Sequence, residues 1–181
     1  MRDLERLTAE QVLAHVIERH DRVTIACSFQ KEASVIMHMA TRIDPGVSFF
    51  TLDEQRALHG DRLWESNPDL CCEIRKVVPM RERLADADAW VAGLRRDQSP
   101  DRAGTPKLHW DDKHGLWKAN PLADWTERNV WAYIFEHDIP YNELHDRDFE
   151  SIGCEPCTTP GAGRAGRWAG TDKVECGLPA A

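Results

Sequence analysis

The chain has 181 residues, 41% apolar and 30% charged, which suits one soluble globular domain; no apolar run approaches the roughly 18 residues of a membrane span. A formal net charge of −8 argues against a general nucleic-acid binder, because neutralising phosphates takes a basic face, so an anionic ligand must be met by local cations. Met1 to Arg6 lacks the apolar stretch of a secretory leader, which makes the cytoplasm the expected compartment, and there six cysteines point to metal binding or catalysis rather than disulfides.

Val12, Leu13, Val16 and Ile17 recur at helical spacing behind Thr8, which with Gln11 resembles a capping box, so Thr8 to His20 reads as an amphipathic entry helix. Arg22 to Cys27 is a β-branched strand run that passes through a loop, Ser28 to Ser34, into an apolar helix at Val35 to Met39. Asp44-Pro45-Gly46 marks a turn before a second strand, Val47 to Leu52, and strand, helix and strand together favour a parallel sheet. Asp53 to Leu70 is polar, helical or looped, and Ile74 to Leu84 reads as a helix started or interrupted by Pro79. Ala89 to Leu94 reads as a third strand, ending in the basic loop Arg95 to Pro100, at the sheet edge where open α/β sheets bind ligands. Leu108 to Trp117 suggests a hairpin or edge strand, and Glu127 to His137 a helix. From Asn142 onward glycine and proline are frequent and periodicity fades, predicting an irregular tail fixed by something other than a core.

The strongest chemical signal is Cys71-Cys72 set against Cys154-Glu155-Pro156-Cys157: four thiolates from two distant segments suit a sulfur-ligated metal, zinc or iron–sulfur. Adjacent cysteines depart from the C-x-x-C pairs of zinc ribbons and favour iron–sulfur, although spacing leaves both open. Cys176 stands in a segment without apolar periodicity, so it reads as a mobile thiol; a nucleophilic cysteine needs nearby cations, and Arg164, Arg167 and Lys173 are within reach in sequence. Cys27, at a strand end, reads as a small hydrophobe, and the histidines carry no assigned role.

The segments Cys71 to Pro79, Val91 to Ser99, Asn120 to Trp125, Ser151 to Thr158, Arg164 to Trp168 and Glu175 to Leu178 resemble assimilatory adenylyl-sulfate reductases of the phosphoadenylyl-sulfate reductase family, in the same order along nearly the whole chain. The resemblance implies an α/β, adenine-nucleotide-alpha-hydrolase-like (Rossmann-like) parallel sheet with flanking helices. It also implies one sulfonucleotide reductase domain over residues 1–181, with a mobile tail at 163–181 carrying the catalytic cysteine, and a 4Fe-4S cluster on Cys71, Cys72, Cys154 and Cys157. The implied reaction belongs to sulfate assimilation and cysteine biosynthesis: the Cys176 thiolate attacks the sulfur of adenylyl sulfate, AMP leaves, and thioredoxin releases sulfite from the S-sulfocysteine. An anionic nucleophile approaching an anionic sulfate needs cations around it, and the candidates are Lys76, one turn beyond Cys72, with Arg75, Arg95, Arg96, Arg164 and Arg167.

The loop from Ser28 to Ser34 resembles the family's phosphate-binding loop, in which Ser28 and Ser34 would donate hydroxyls, although it has no glycine. Where the family has Leu-Asp-Thr-Gly this chain reads Leu52-Asp53-Glu54-Gln55, the stretch from Leu52 to Cys71 is short enough to hold one strand fewer, and Pro179 stands where a histidine is usual. Three alternatives stand beside adenylyl sulfate reduction. The first is a reductase of the 3′-phosphorylated nucleotide, against which the cysteine pairs count. The second is a non-catalytic iron–sulfur or zinc protein that binds an adenine nucleotide, to which Cys176 would be superfluous. The third is an ATP-activating sulfur-transfer enzyme, whose Ser-Gly-Gly-x-Asp-Ser loop is missing. No membrane or nucleic-acid partner is expected, and the sequence leaves homo-oligomer formation open.

Overall fold

The computed structural model describes residues 4–51, 62–171, 173 and 175–176. They gather into two compact units, one from Met1–Phe50 and Asp86–Asn142, the other from Thr51–Ala85 and Glu143–Ala180. Leu52, Asp53, Glu54 and Gln55 lie outside the described residues, as does Pro179.

The first unit is built on a five-stranded sheet in the order β2-β1-β3-β5-β4, from β1 (Val23–Ala26), β2 (Ser48–Phe50), β3 (Ala89–Val91), β4 (Leu108–Asp111) and β5 (Leu116–Ala119). β1 runs parallel to β2 and β3, and β5 parallel to β3; only β4 is antiparallel, folded back as the outer arm of a hairpin with β5. The expected strand–helix–strand unit and hairpin are both present. Three helices accompany the sheet: α1 (Ala9–Ile17), α2 (Lys31–Ile43) and, later in the chain, a helix over Glu127–Glu136. Thr8 closes the expected capping box on α1, its Oγ1 accepting from the Gln11 N–H while Gln11 Oε1 accepts from the Thr8 N–H. One contiguous core joins Val12, Leu13 and Val16, Val35, Ile36 and Met39, and Val130 and Ile134 to Val23, Ile25, Ala89 and Val91. Each fully buried Val, Leu, Ile or Met among them contributes about 1.5–3 kcal/mol.

Two boundary shifts bear on the candidate residues of this unit. The third strand stops at Val91, and close packing follows, since a Cβ on Gly93 would stand 3.0 Å from Glu32 Cβ. α2 begins at Lys31, four residues before the apolar run, so Ser34 lies in its first turn and not in a loop; Gln30 stands at the N-cap without a side-chain capping bond, which is why no capping signal marked the start.

The second unit has α3 (Leu63–Ser66), α4 (Pro68–Cys72), a π-helical stretch Glu73–Val77 and α5 (Val78–Leu84). Asn67 caps α4, accepting from the Leu70 N–H, and Pro68 fills a first-turn position that needs no donor. Pro79 explains the π stretch: it has no N–H to give, and its ring would press on the carbonyl one turn back. The wider turn avoids that clash, and Val78 N–H donates to Glu73 O instead. The C-terminal half is irregular, as expected: 3-10 turns at Glu143–Arg147 and Glu155–Cys157, with isolated bridges Phe149 to Gly161 and Thr158 to Arg167. In the first unit Thr126 caps α6 (Glu127–Glu136), its Oγ1 accepting from the Asn129 N–H.

Candidate active site

The second unit brings Cys71, Cys72, Cys154, Cys157 and Cys176 into one body. Cys71 and Cys72 close α4 and are each 7% exposed. Cys154 and Cys157 bracket a tight turn around Pro156, in which Cys157 N–H and Thr158 Oγ1 both donate to Cys154 O at 3.0 and 2.8 Å. Burial pushes the Cys72 thiol up to about 11, opposed by Lys76 and Lys173 and reinforced by Cys176 and Cys154. Burial likewise raises Cys157, helped by Cys154 and Cys71 and opposed by Lys76 and Arg167. The thiols of both segments therefore feel one another, and Lys76, half-buried on the π stretch, acts on a cysteine from each. Among the described residues no three His, Cys, Asp or Glu side chains stand at metal-ligand geometry. As chemistry, the donor set fits a soft metal: buried thiols that discourage one another's ionisation are relieved by a cationic centre that takes up their charge.

Arg164 pairs with Glu175 at 2.9 Å, and Lys173 with Asp69. Burial alone would lower Lys173; its bond to Asp69 and the Cys72 and Cys176 thiols instead hold it above the ordinary lysine value. Arg167 is 8% exposed, donates from one terminal nitrogen to Ile152 O at 3.0 Å, and has a buried Nε with no partner. A Cβ on Gly153 would stand 2.0 Å from the Arg167 guanidinium, so a side chain there would displace that head group. All three cations lie near the Trp168 ring, a buried indole held at φ +51 that sequence reasoning passed over; a bulky residue in this region costs about 1–2 kcal/mol. The signal available was the spacing of Arg164, Arg167 and Trp168, two guanidiniums a turn apart beside an aromatic ring.

The other named residues belong to the first unit. Ser28 is exposed beyond β1, Ser34 is 9% exposed in the first turn of α2, and Phe29 between them takes φ +56 while 56% exposed. Arg95 is 4% exposed, its Nε donating to Glu32 at 3.0 Å and its NH1 to both Asp97 oxygens at 2.6 and 2.7 Å. Arg96 bonds Glu5 at 2.6 Å and the Thr105 carbonyl at 2.8 Å. Nearby, Lys31 pairs with Glu127 at 2.8 Å; burial would raise this carboxyl, but Lys31 holds it below the usual range. Cys27 lies beside Met37, sulfur to sulfur at 3.5 Å, as a packing residue would.

The model of the phosphoadenosine phosphosulfate reductase domain matches residues 51–160. A relative from Salinibacter ruber named adenosine 5′-phosphosulfate reductase is 51% identical over 143 residues, 76% of this chain and 56% of its own length. The chain thus spans little more than half of that relative. One of the same name from Bacillus thuringiensis is 40% identical, with 89% of this chain and 85% of the relative covered. That second alignment runs over 199 residues, more than the 181 of this chain, so the relative carries residues missing here. Among solved structures, phosphoadenylyl-sulfate reductase from Candida auris, a phosphate complex, superposes with a TM-score of 0.75 at 26% identity, covering 87% of this chain and 93% of that one. FMN adenylyltransferase from Candida glabrata in complex with ATP superposes at 0.61 with 14% identity over 86% of this chain and 62% of its own, a likeness of fold.

Proposed function

The chain belongs to the phosphoadenosine phosphosulfate reductase domain family, and on that premise we propose that it reduces adenylyl sulfate to sulfite and AMP in assimilatory sulfate reduction. The observation that carries this reading is the gathering of Cys71, Cys72, Cys154, Cys157 and Cys176 in one unit, where Cys72 feels Cys154, Cys176, Lys76 and Lys173, and Cys157 feels Cys71, Cys154, Lys76 and Arg167. Adenylyl sulfate is preferred to its 3′-phosphorylated form because the relatives at 51% and 40% identity bear the adenosine 5′-phosphosulfate name, whereas the phosphoadenylyl-sulfate reductase is 26% identical.

In the proposed reaction the Cys176 thiolate attacks the sulfuryl sulfur, forming a sulfur–sulfur bond as the bond from that sulfur to the phosphate oxygen breaks. The electron pair leaves on AMP. Lys173 and Lys76 favour a thiolate in their neighbourhood, and with Arg164 and Arg167 they supply the positive charge that two approaching anions require. A dithiol reductant, thioredoxin, attacks Cys176 Sγ; sulfite departs with the bonding pair, and the second thioredoxin thiol frees Cys176 as the thioredoxin disulfide closes. Sulfur is reduced by two electrons and thioredoxin oxidised by two.

Cys71, Cys72, Cys154 and Cys157 would hold a 4Fe-4S cluster, whose charge would stabilise the ionised thiols. Ser28, Ser34, Arg95 and Arg96 are proposed on the nucleotide side of the reaction, with the pairing of Arg95 to Glu32 and Asp97 making it a residue that shapes its loop. Residues 1–181 are proposed to act as one reductase domain in the cytoplasm; among the described residues no helix is long and apolar enough to cross a membrane.

The test is anaerobic incubation with sulfur-labelled adenylyl sulfate. Label bound covalently to the wild type, released as sulfite by thioredoxin and missing from Cys176→Ala is expected; an unlabelled wild type, or equal labelling of the variant, contradicts the mechanism.

A further inference from the structure

Three cations surround one indole in the cysteine-bearing unit. Arg167 lies 4.6 Å from the centroid of the Trp168 ring, Arg164 5.7 Å and Lys173 5.9 Å. Like charges repel, so the cluster needs something to hold it. Glu175 and Asp69 serve Arg164 and Lys173, but each carboxylate also cancels charge, whereas among the described residues Arg167 forms no ion pair and keeps a buried, unpartnered Nε. An aromatic face attracts cations without bringing a formal negative charge of its own, so it gathers them and leaves their field for an incoming anion.

The backbone ties this platform to the thiols. Trp168 N–H donates to Cys157 O at 3.0 Å, and Trp168 O accepts from the Thr171 N–H and Oγ1 at 3.0 and 2.9 Å. Thr171 Oγ1 in turn accepts from the Lys173 N–H at 3.2 Å. The φ of +51 at a residue 5% exposed is a backbone conformation that a bulky residue keeps only where its surroundings hold it.

We infer that Trp168 is a positioning residue: an uncharged aromatic platform that holds Arg164, Arg167 and Lys173 as a receptor for the sulfuryl anion beside Cys176. This rests on the reductase reading for the identity of the anion. It requires that loss of the ring weaken binding of the sulfuryl group and spare the AMP portion, and that another aromatic ring restore most of the loss.

The experiment measures dissociation constants for adenylyl sulfate and AMP by calorimetry on the full chain, purified anaerobically, in a Cys176→Ser background so that bound substrate is not consumed. Trp168→Leu should weaken adenylyl sulfate about tenfold and AMP less than about twofold, and Trp168→Phe should bring adenylyl sulfate back to within about threefold. Circular dichroism and the melting midpoint accompany each variant. Equal weakening of both nucleotides by Trp168→Leu, no weakening at all, or a Trp168→Phe as impaired as Trp168→Leu would each overturn the inference, as would failure of the Cys176→Ser parent to bind adenylyl sulfate. Label transfer to the otherwise wild-type chain decides the other question: the predicted binding pattern without any transfer overturns the reductase reading and leaves the Trp168 assignment standing.

Discussion

In the sheet unit Lys31, Arg95 and Lys107 are 2%, 4% and 1% exposed, and each is closed by a carboxylate, Glu127, Glu32 or Asp124. In the cysteine unit Arg167 is nearly as buried, but it meets a carbonyl and an indole and acts on the Cys157 thiol. A charge paired with its opposite is complete in the free protein and serves the fold; a buried charge held by uncharged groups has field to spare for a ligand. The first arrangement suits a scaffold, and the second leaves Arg167 the free field of the proposed site, while Arg164 and Lys173 beside it keep carboxylate partners.

The largest effects should come from breaking the cysteine unit's thiol set. Anaerobically purified protein is expected to contain iron and acid-labile sulfide, and Cys72→Ser to lose both; a colourless wild type with zinc and no iron contradicts the cluster assignment. In the sheet unit, Arg95→Met takes the guanidinium from buried Glu32, leaving it the Gln98 amide, and should destabilise the chain by about 3 kcal/mol in urea unfolding, and a loss under about 1 kcal/mol would mean that the pair is dispensable.

Lys118 departs from that pattern in the sheet unit, 1% exposed over the Trp90 ring at 4.8 Å. Burial lowers it from 10.5 to about 8, with Asp111 opposing and Arg102 and Lys113 assisting. Its folded value lies below the unfolded one, so between them the unfolded chain binds more protons and stability rises with pH. Lys118→Met removes that rise. The stability of the variant relative to wild type should fall by up to about 3 kcal/mol from pH 8 to 10.5, and a constant difference would show that Lys118 stays charged. At the small end, Thr126→Ala removes the side-chain cap of α6 and should cost about 1 kcal/mol, read as a shift in the urea midpoint at unchanged slope.

Local chemistry was legible in the sequence. β-branched runs located β1, the Thr8 and Gln11 pair marked the start of α1, and the paired cysteines with Cys176 singled out the thiol-bearing segments. Partners distant in sequence were not. Arg95 and Arg96 look like free loop cations until folding brings Glu32, 63 residues away, and Glu5, 91 residues away, against them. The π stretch follows from Pro79, yet a proline is equally consistent with a helix end. Trp168 stood in plain view, but a tryptophan reads as core until three cations are seen around it.

The central claim is that Cys176 is the thiol that accepts sulfur. Anaerobic trapping with adenylyl sulfate, followed by peptide mass spectrometry without reductant, tests it most directly. The account predicts one sulfonate adduct, confined to the peptide that contains Cys176 and removed by thioredoxin. An adduct on a peptide carrying Cys71, Cys72, Cys154 or Cys157, or none while sulfite is still produced, would contradict it.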